Sequence, residues 1–308
     1  MKHRICSTLL LVILTFSGLY AQQTFAYVER DSTFYLDVYQ PATTPNGYTV
    51  VHIFGGGFIM GSRQRQWDVD YCRMLTERGY TAVAIDYRLG LKGQYKVGVS
   101  NIGVLENAFY MAAEDCSAAV AYLVKHAAEL NIDPDKIILC GSSAGAITAL
   151  MTDYGRCNTL PYVAELPEGW KPAGIIAYSG AIYSTLRGLK WAMPPAPTML
   201  FHGTEDKLVM YKKMEVGKRG MYGSDAIARQ LDKNNHHYCI YRYKGLGHEV
   251  SMGGPRTLEE LDLFVSQYIE QGRALHSDIT IRDDSIQPTI FTHMTVRDVY
   301  KKKVLSDL

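Results

Sequence analysis

The residues best suited to chemistry in this chain centre on one serine. Ser143 stands in the middle of the pentapeptide Gly141–Gly145, which reads GSSAG. An apolar run at residues 136–140 precedes it and small residues at 146–151 follow it, so the pattern predicts a strand, a sharp turn and a helix. A serine at such a turn has a strained backbone and an exposed hydroxyl, and its neighbours must be small to avoid clashes. Ser143 is therefore the candidate nucleophile.

A glycine-rich loop upstream could supply the hydrogen-bond donors that acyl transfer requires. Gly55, Gly56 and Gly57 follow an apolar, β-branched run at residues 48–54 that predicts a buried strand. Successive glycines let the backbone approach a ligand and present N–H groups to it. One such donor at a developing oxyanion is typically worth about 10²–10³ in rate. We predict an oxyanion hole formed by the N–H groups of Ala144 and of Gly56 or Gly57, the alternative being a flexible turn.

Two further loops carry a candidate acid and a candidate base. Asp206 and His248 each follow a run of residues that predicts a short strand. A nucleophilic serine needs a base to accept its proton, and the base needs a carboxylate to fix its tautomer and stabilise the imidazolium. Such groups collect at the carboxyl ends of parallel strands. We therefore predict a triad of Ser143, His248 and Asp206, with Glu205 as the alternative acid.

The elements that must position these groups alternate between strands and helices. Strands are expected at residues 33–39, 48–54, 81–87, 136–140, 173–179, 198–202 and 238–243, and helices at residues 67–78, 112–130, 146–151, 224–233 and 257–271. Residues 90–110 are rich in glycine and are expected to be irregular, and residues 153–170 form a short insertion. The alternation predicts an α/β fold with a parallel sheet covered by helices.

On these motifs the chain resembles the α/β-hydrolase family, in its esterase/lipase branch. The family has the same chain order of nucleophile, acid and histidine. Further matches are Ile85–Leu89, Asp133–Ile137, His202–Asp206 and Asp115 on the helix before the serine strand. The resemblance covers roughly residues 34–271. It implies the α/β-hydrolase fold, with a mostly parallel central sheet and helices on both faces, and it favours Asp206 over Glu205 as the acid.

The chain departs from the family at the oxyanion loop. The family usually has the sequence His-Gly-Gly-Gly, and here Phe54 stands in place of that histidine. The backbone donors survive this change, but the hydrogen bonding that braces the loop must come from elsewhere. His52 lies two residues earlier on the same face of the strand and could substitute.

Composition and net charge limit the classes of binding partner, but they say little about the fold. The 308 residues are 47% hydrophobic and 20% charged, which is ordinary for a globular enzyme. A net charge of +1 gives no support for a nucleic-acid or anionic-membrane partner. The six cysteines show no spacing typical of a disulfide framework or a zinc site, although Cys72 and Cys157 could pair. His236 and His237 are adjacent and point apart on an extended chain, so neither a metal nor another cofactor is expected.

The N-terminus has the pattern of a signal peptide. Basic residues at positions 2–4 precede an apolar stretch at residues 9–16, which is too short to span a bilayer because spanning takes about 20 residues. Ala21 offers a cleavage site before Gln22. The expected divisions are a signal peptide at 1–21, an α/β-hydrolase domain at 22–272 and a C-terminal tail or appendage at 273–308. We expect an exported, periplasmic or extracellular protein with no stable membrane anchor after cleavage, the alternative being an uncleaved anchor helix.

These expectations combine into one function. The resemblance implies a serine hydrolase that cleaves carboxylic esters through an acyl-enzyme. No N-terminal helical cap fits, because only residues 40–47 separate the first expected strand from the oxyanion strand. An open pocket without a large cap domain favours short acyl groups on a small-molecule or glycan ester. The alternatives are a peptidase or amidase on the same fold and a non-catalytic binding protein, and the sequence does not indicate the oligomeric state.

Overall fold

The computed structural model describes residues 22–94 and 102–299. The strands are β1 (Gln22–Glu29), β2 (Thr33–Tyr39), β3 (Thr49–Ile53), β4 (Thr81–Ile85), β5 (Ile137–Ser142), β6 (Gly174–Tyr178), β7 (Ala181–Ser184), β8 (Thr198–Gly203), β9 (Lys213–Val216), β10 (Arg219–Gly223), β11 (Tyr238–Tyr243) and β12 (His276–Ile281). The helices are α1 (Gln66–Glu77), α2 (Ile102–Lys125), α3 (Ala127–Leu130), α4 (Ala144–Cys157), α5 (Ser224–Lys233), α6 (Leu258–Leu263) and α7 (Val296–Val299). A π-helical segment, Phe264–Glu270, continues α6.

Nine of these strands form one twisted layer in the order β1-β2-β4-β3-β5-β6-β8-β11-β12. Strand β2 pairs antiparallel with both β1 and β4. Every neighbouring pair from β4 to β12 is parallel. The mostly parallel sheet predicted from the alternation of strands and helices is therefore confirmed.

Strand β5, in the middle of the sheet, separates two apolar clusters. Ile137 and Leu139 belong to the cluster that contains side chains of α2 and α4. Ile138 and Cys140 belong to the cluster that contains side chains of α1 and α6. Because successive side chains of a strand point to opposite faces, helices cover both faces of the sheet, as predicted. All four side chains are fully buried, which is why β5 is a continuous apolar run and not an alternating one.

Helix α2 begins at Ile102, inside the stretch that the sequence predicts to be irregular. Its buried side chains include Ala108, Phe109 and Ala112, whose spacing places them on one helix face against the sheet. Gly103 lies in the first turn, and no atom lies within 4 Å of the position its Cβ would take. The glycine content of this region led to the expectation of irregular structure, and that expectation is wrong for residues 102–110.

Several connections are shorter or more ordered than the pattern indicated. Between α4 and β6 the described chain forms only a 3-10 turn, Pro161–Val163, so no separate cap domain lies there. Strands β7, β9 and β10 form a second, three-stranded sheet that the sequence did not predict. The residues expected to be a tail contribute β12, which pairs with β11 from Tyr238↔His276 to Tyr243↔Ile281.

Of the expectations about the N-terminus and the cysteines, the structure addresses only the second. The expected signal peptide at 1–21 lies outside them. Among the helices in 22–94 and 102–299, none has both the length and the apolar character needed to cross a membrane. The cysteines in these ranges, at positions 72, 116, 140, 157 and 239, are buried and free, so Cys72 and Cys157 are not paired.

Candidate active site

Ser143 occupies a strained turn between β5 and α4. Its backbone has φ 52° and ψ −114°, a positive-φ conformation that a residue with a side chain rarely adopts. A Cβ on Gly141 would lie 2.2 Å from the carbonyl carbon of Gly145, and a Cβ on Gly145 would lie 1.9 Å from the carbonyl oxygen of Ile53. Both glycines are therefore required by close backbone packing, which fixes the turn that carries the serine.

The structure brings the three predicted triad residues together. Ser143 Oγ lies 2.8 Å from His248 Nε2, and His248 Nδ1 lies 2.8 Å from Asp206 Oδ2. The serine follows β5, the aspartate follows β8 and the histidine follows β11, so all three lie at the carboxyl ends of parallel strands. Glu205 is exposed, and the carboxylate beside the imidazole is that of Asp206. This geometry allows a proton to pass from the serine hydroxyl to the imidazole.

The carboxylate of Asp206 is buried and fully engaged. Its Oδ1 accepts hydrogen bonds from the backbone N–H groups of Leu208 at 2.9 Å and Val209 at 3.0 Å. Its Oδ2 faces His248 and also His202, whose Nε2 is 3.2 Å away. Burial alone would raise the pKa of Asp206, but the charge and hydrogen bond of His248, together with His202, hold that pKa well below its usual value. The acid is therefore ionised wherever the protein is folded near neutral pH.

His202 is a second buried histidine at the acid. Its Nδ1 lies 2.7 Å from Ser224 Oγ, and its Nε2 lies 3.0 Å from the carbonyl oxygen of Val209. Ser224 is the first residue of α5, Gly223 occupies the N-cap position of that helix, and the Ser224 hydroxyl faces the His202 ring. The serine expected to start a helix therefore holds a histidine ring, and the ring in turn contacts the Asp206 carboxylate.

The glycine loop lies beside the serine. A Cβ on Gly55 would be 3.2 Å from Ser143 Cβ, so the two backbones are in near contact. Gly56 has φ 139° and Gly57 has φ 64°, values that glycine adopts most readily. Ala144 is the first residue of α4, so its N–H has no partner within the helix and lies at the positive end of the helix dipole. The predicted donors thus lie on two segments that meet at Ser143.

A tyrosine braces the loop that lacks the usual histidine. The Tyr87 hydroxyl donates to the Phe54 carbonyl oxygen at 2.8 Å, and the two rings stack with centroids 4.5 Å apart. His52 does not substitute directly, because its Nε2 pairs with Asp68 at 2.7 Å. Arg65 binds the same carboxylate and lies over the Phe54 ring. The replacement of histidine by Phe54 is therefore accommodated by aromatic packing and one hydrogen bond.

The sequence motif that contains this tyrosine indicates the family but gives no role for the tyrosine itself. Tyr87 lies in the matched segment Ile85–Leu89, and Asp115 was a separate match. Arg88 joins the two matches, because its backbone N–H and its Nε both donate to the Asp115 carboxylate at 2.7–3.0 Å. The co-occurrence of the two matches was the available signal, because together they fix the segment of chain that contacts the glycine loop.

Aromatic rings fill the space beyond the glycine loop. The Phe58 ring packs edge-to-face on Phe109 with centroids 5.3 Å apart, and Phe109 packs on Tyr183 at 5.8 Å. All three are almost fully buried. They come from the loop after β3, from α2 and from β7, elements that no local pattern connects.

The paired histidines show no sign of a metal site. The His236 ring contacts Trp191 and the His237 ring contacts His276, so the two rings face different neighbours. Within the part of the chain that the structure describes, no group of three histidine, cysteine or acidic side chains could hold an ion.

The fold and part of the sequence are shared with known proteins. A family model described as BD-FAE matches residues 36–161, which include the glycine loop and Ser143. A thermophilic esterase of Thermogutta terrifontis, Est2, has a similar structure, with a TM-score of 0.58 and 22% identity over 80% of this chain and 92% of that one. Its butyrate-bound form gives 0.59 and 23%, over 80% and 94%. The chain has the α/β-hydrolase fold. The predicted fold is confirmed.

The curated proteins to which this chain is similar in sequence include esterases. The chain is 32% identical over 132 residues to an arylesterase of Saccharolobus solfataricus. It is 31% identical over 131 residues to an acetyl esterase of Salmonella choleraesuis. These alignments cover 42% and 40% of this chain, and 38% and 35% of the relatives. The chain therefore spans a little over one third of the length of the relatives it matches.

Proposed function

We propose that this α/β-hydrolase is a carboxylic ester hydrolase that works through an acyl-enzyme on Ser143. The observation that carries the proposal is the unbroken chain of hydrogen bonds from Ser143 Oγ through the His248 ring to Asp206, each 2.8 Å long. The esterase names of the sequence relatives support the same reaction class.

The proposed reaction has two similar halves. Ser143 Oγ attacks the ester carbonyl carbon while His248 Nε2 takes the hydroxyl proton, and Asp206 holds the Nδ1–H and stabilises the imidazolium. The N–H groups of Ala144 and of Gly56 or Gly57 bind the oxyanion of the tetrahedral intermediate. His248 then gives its proton to the leaving alcohol. Water repeats the sequence on the acyl-enzyme and releases the acid.

The direct test is turnover of 4-nitrophenyl acetate by the wild-type protein and by Ser143→Ala. Loss of a triad nucleophile lowers turnover by about 10⁶ elsewhere, and we expect a loss of that order here. A fluorophosphonate probe should label Ser143 and leave its neighbour Ser142 unmodified, as read by peptide mass spectrometry. Wild-type turnover that survives in Ser143→Ala, or a label on another residue, would refute the proposed nucleophile.

We propose short acyl groups, acetyl above all, as the preferred substrates. A long acyl chain gains about 0.8 kcal/mol for each methylene that it buries, and it needs a free apolar channel to do so. Phe58, Phe109 and Tyr183 occupy the space beyond the glycine loop with buried rings. No cap domain adds apolar surface in the described chain between α4 and β6. We expect kcat/KM to fall from acetyl or butyryl to decanoyl 4-nitrophenyl esters, and a rise with chain length would overturn this preference.

We further propose that the protein is exported and acts on an acetylated glycan. The support is the basic and apolar pattern of residues 1–21 and the abundance of tyrosine, 22 residues, which can stack on sugar rings. Expression of the full chain in a Gram-negative host should give a periplasmic protein whose measured mass corresponds to a chain that begins at Gln22. The purified protein should release acetate from acetylated xylan at a rate that Ser143→Ala lacks. A full-length product that stays in the membrane fraction would refute export, and absence of acetate release would refute this substrate.

A further inference from the structure

The chain returns to the candidate active site after β12. We call residues 289–295 the C-terminal segment. It contains a 3-10 turn, Ile290–Thr292, whose ends are joined by reciprocal bonds between Thr289 and Thr292. The Thr289 N–H donates to Thr292 Oγ1 at 2.9 Å, and Thr289 Oγ1 accepts from the Phe291 N–H at 3.1 Å. Thr292 is 2% exposed and Met294 is 7% exposed, so this segment is packed and not solvated.

The C-terminal segment is bonded to the loop that carries His248. Thr292 Oγ1 donates to Glu249 Oε1 at 2.7 Å. Glu249 Oε1 also accepts a hydrogen bond from the Gly247 N–H at 3.0 Å. Gly247 and Glu249 are the two neighbours of His248 in the chain. A Cβ on Gly247 would lie 2.4 Å from Thr292 Cα, so the two backbones are in direct contact.

The same segment also reaches the loop that carries Asp206. Thr295 forms a parallel β-bridge with Lys207, the residue that follows Asp206. Asp298 fixes Thr295 from the other side, accepting from its hydroxyl at 2.6 Å and from its N–H at 3.1 Å. One short stretch of chain therefore contacts the neighbours of both the acid and the base, which lie 42 residues apart in sequence.

We propose that the C-terminal segment sets the position of His248 relative to Asp206, with Thr292 and Glu249 as positioning residues for the proposed esterase reaction. The loop before His248 contains two glycines, Gly245 and Gly247, which leave its backbone free to vary. An external anchor is therefore needed to hold the imidazole in line with the serine. Misplacement by about 1 Å can cost about 10² in rate.

The environment of Glu249 agrees with a positioning role. Its Oε1 accepts both bonds, whereas its Oε2 is buried and accepts no hydrogen bond from the protein. An unsatisfied buried oxygen costs free energy, so this side chain does not add to stability in the way that a fully paired carboxylate does. What it supplies is a shared acceptor that joins the histidine loop to the C-terminal segment.

The test compares Thr292→Val, which removes the hydroxyl at nearly constant volume, with Thr292→Ser, which keeps it. The readouts are kcat and KM on 4-nitrophenyl acetate, corrected for active sites by titration, and the rate of fluorophosphonate labelling of Ser143. For Thr292→Val we expect kcat and labelling rate to fall about 10-fold with little change in KM, and for Thr292→Ser most of the kcat to return. Thr280→Val, at an exposed threonine of β12, is the matched control and should behave as wild type.

Several outcomes would overturn the proposal. The first is a wild-type kcat in Thr292→Val. The second is a loss of kcat in Thr292→Ser as large as that in Thr292→Val. The third is a loss of kcat that disappears once the rates are corrected for titrated active sites. If Thr292→Val does not fold, Glu249→Gln and Glu249→Ala replace it, because glutamine keeps the shared acceptor oxygen; equal kcat in these two variants would overturn the proposal. If the wild-type protein hydrolyses no ester, the proposed function fails separately, and the labelling rates still decide whether the segment positions His248.

Discussion

At Asp206 one carboxylate oxygen serves two histidine rings. Oδ2 lies 2.8 Å from His248 Nδ1 and 3.2 Å from His202 Nε2. Because the acid fixes the tautomer of the base, Asp206→Asn should cut kcat on 4-nitrophenyl acetate by up to about 10⁴. KM should change much less, since Asp206 is buried behind the histidine.

The neighbouring carboxylate provides the control. Glu205→Gln alters an exposed side chain one residue away and should leave kcat close to that of wild type. A larger loss of kcat in Glu205→Gln than in Asp206→Asn would mean that the acid is Glu205 and not Asp206.

Among the structural elements, the glycine loop proposed to form the oxyanion hole is held by a hydrogen bond from the chain after β4. Tyr87→Phe removes the hydroxyl that donates to the Phe54 carbonyl. It should lower the free energy of unfolding by about 1–3 kcal/mol, because a buried acceptor loses its partner. It should also lower kcat by about 10-fold, because the proposed oxyanion-hole donors lose their fixed position. Denaturant unfolding and steady-state kinetics measure the two effects.

Tyr80→Phe is the matched control for this brace. Tyr80 is also buried, and its hydroxyl donates to Asp262 at 2.9 Å, in the apolar cluster on the opposite face of the sheet from Tyr87 and Phe54. We expect a smaller loss of stability, because the Asp262 carboxylate is partly exposed and also pairs with Arg78, and we expect kcat to be unchanged. If both variants lose the same fraction of kcat, the effect of Tyr87 is one of general stability and not of loop position.

Elements with a strong local signal could be predicted, and those without one could not. Strand β2 and helix α5 begin and end at the expected residues, because their apolar patterns and flanking turn residues are local. The start of α2 was missed because tertiary burial of its apolar face outweighs the glycines around it. Ser224 begins α5 as expected, but the contact of its hydroxyl with His202 is one that no local pattern can reveal.

At the scale of the whole molecule the candidate site is assembled from distant parts of one chain. The serine, the acid, the histidine and the glycine loop could be predicted because each follows a strand, and parallel strands bring their carboxyl ends to one edge of the sheet. Thr292 and Glu249 could not be predicted. Their contact depends on the route of the chain after β12, and an isolated threonine and glutamate have no distinguishing pattern.

Acid stability should also depend on Asp206. Burial raises the pKa of Asp206, but His248 and His202 lower it by more than burial raises it. The pKa in the folded protein therefore lies well below the unfolded value of about 3.9. A carboxyl group whose pKa is lowered on folding adds to the free energy of unfolding above its unfolded pKa, and this contribution is lost as the pH falls below that value. From roughly pH 5 to pH 2, the free energy of unfolding of wild type should therefore fall more steeply than that of Asp206→Asn. Burial raises the pKa of Asp115 and Asp153, but both are present in the two proteins and cancel in the difference. Urea unfolding at a series of pH values measures that difference, and parallel curves would contradict the assignment of a strongly stabilised carboxylate at this site.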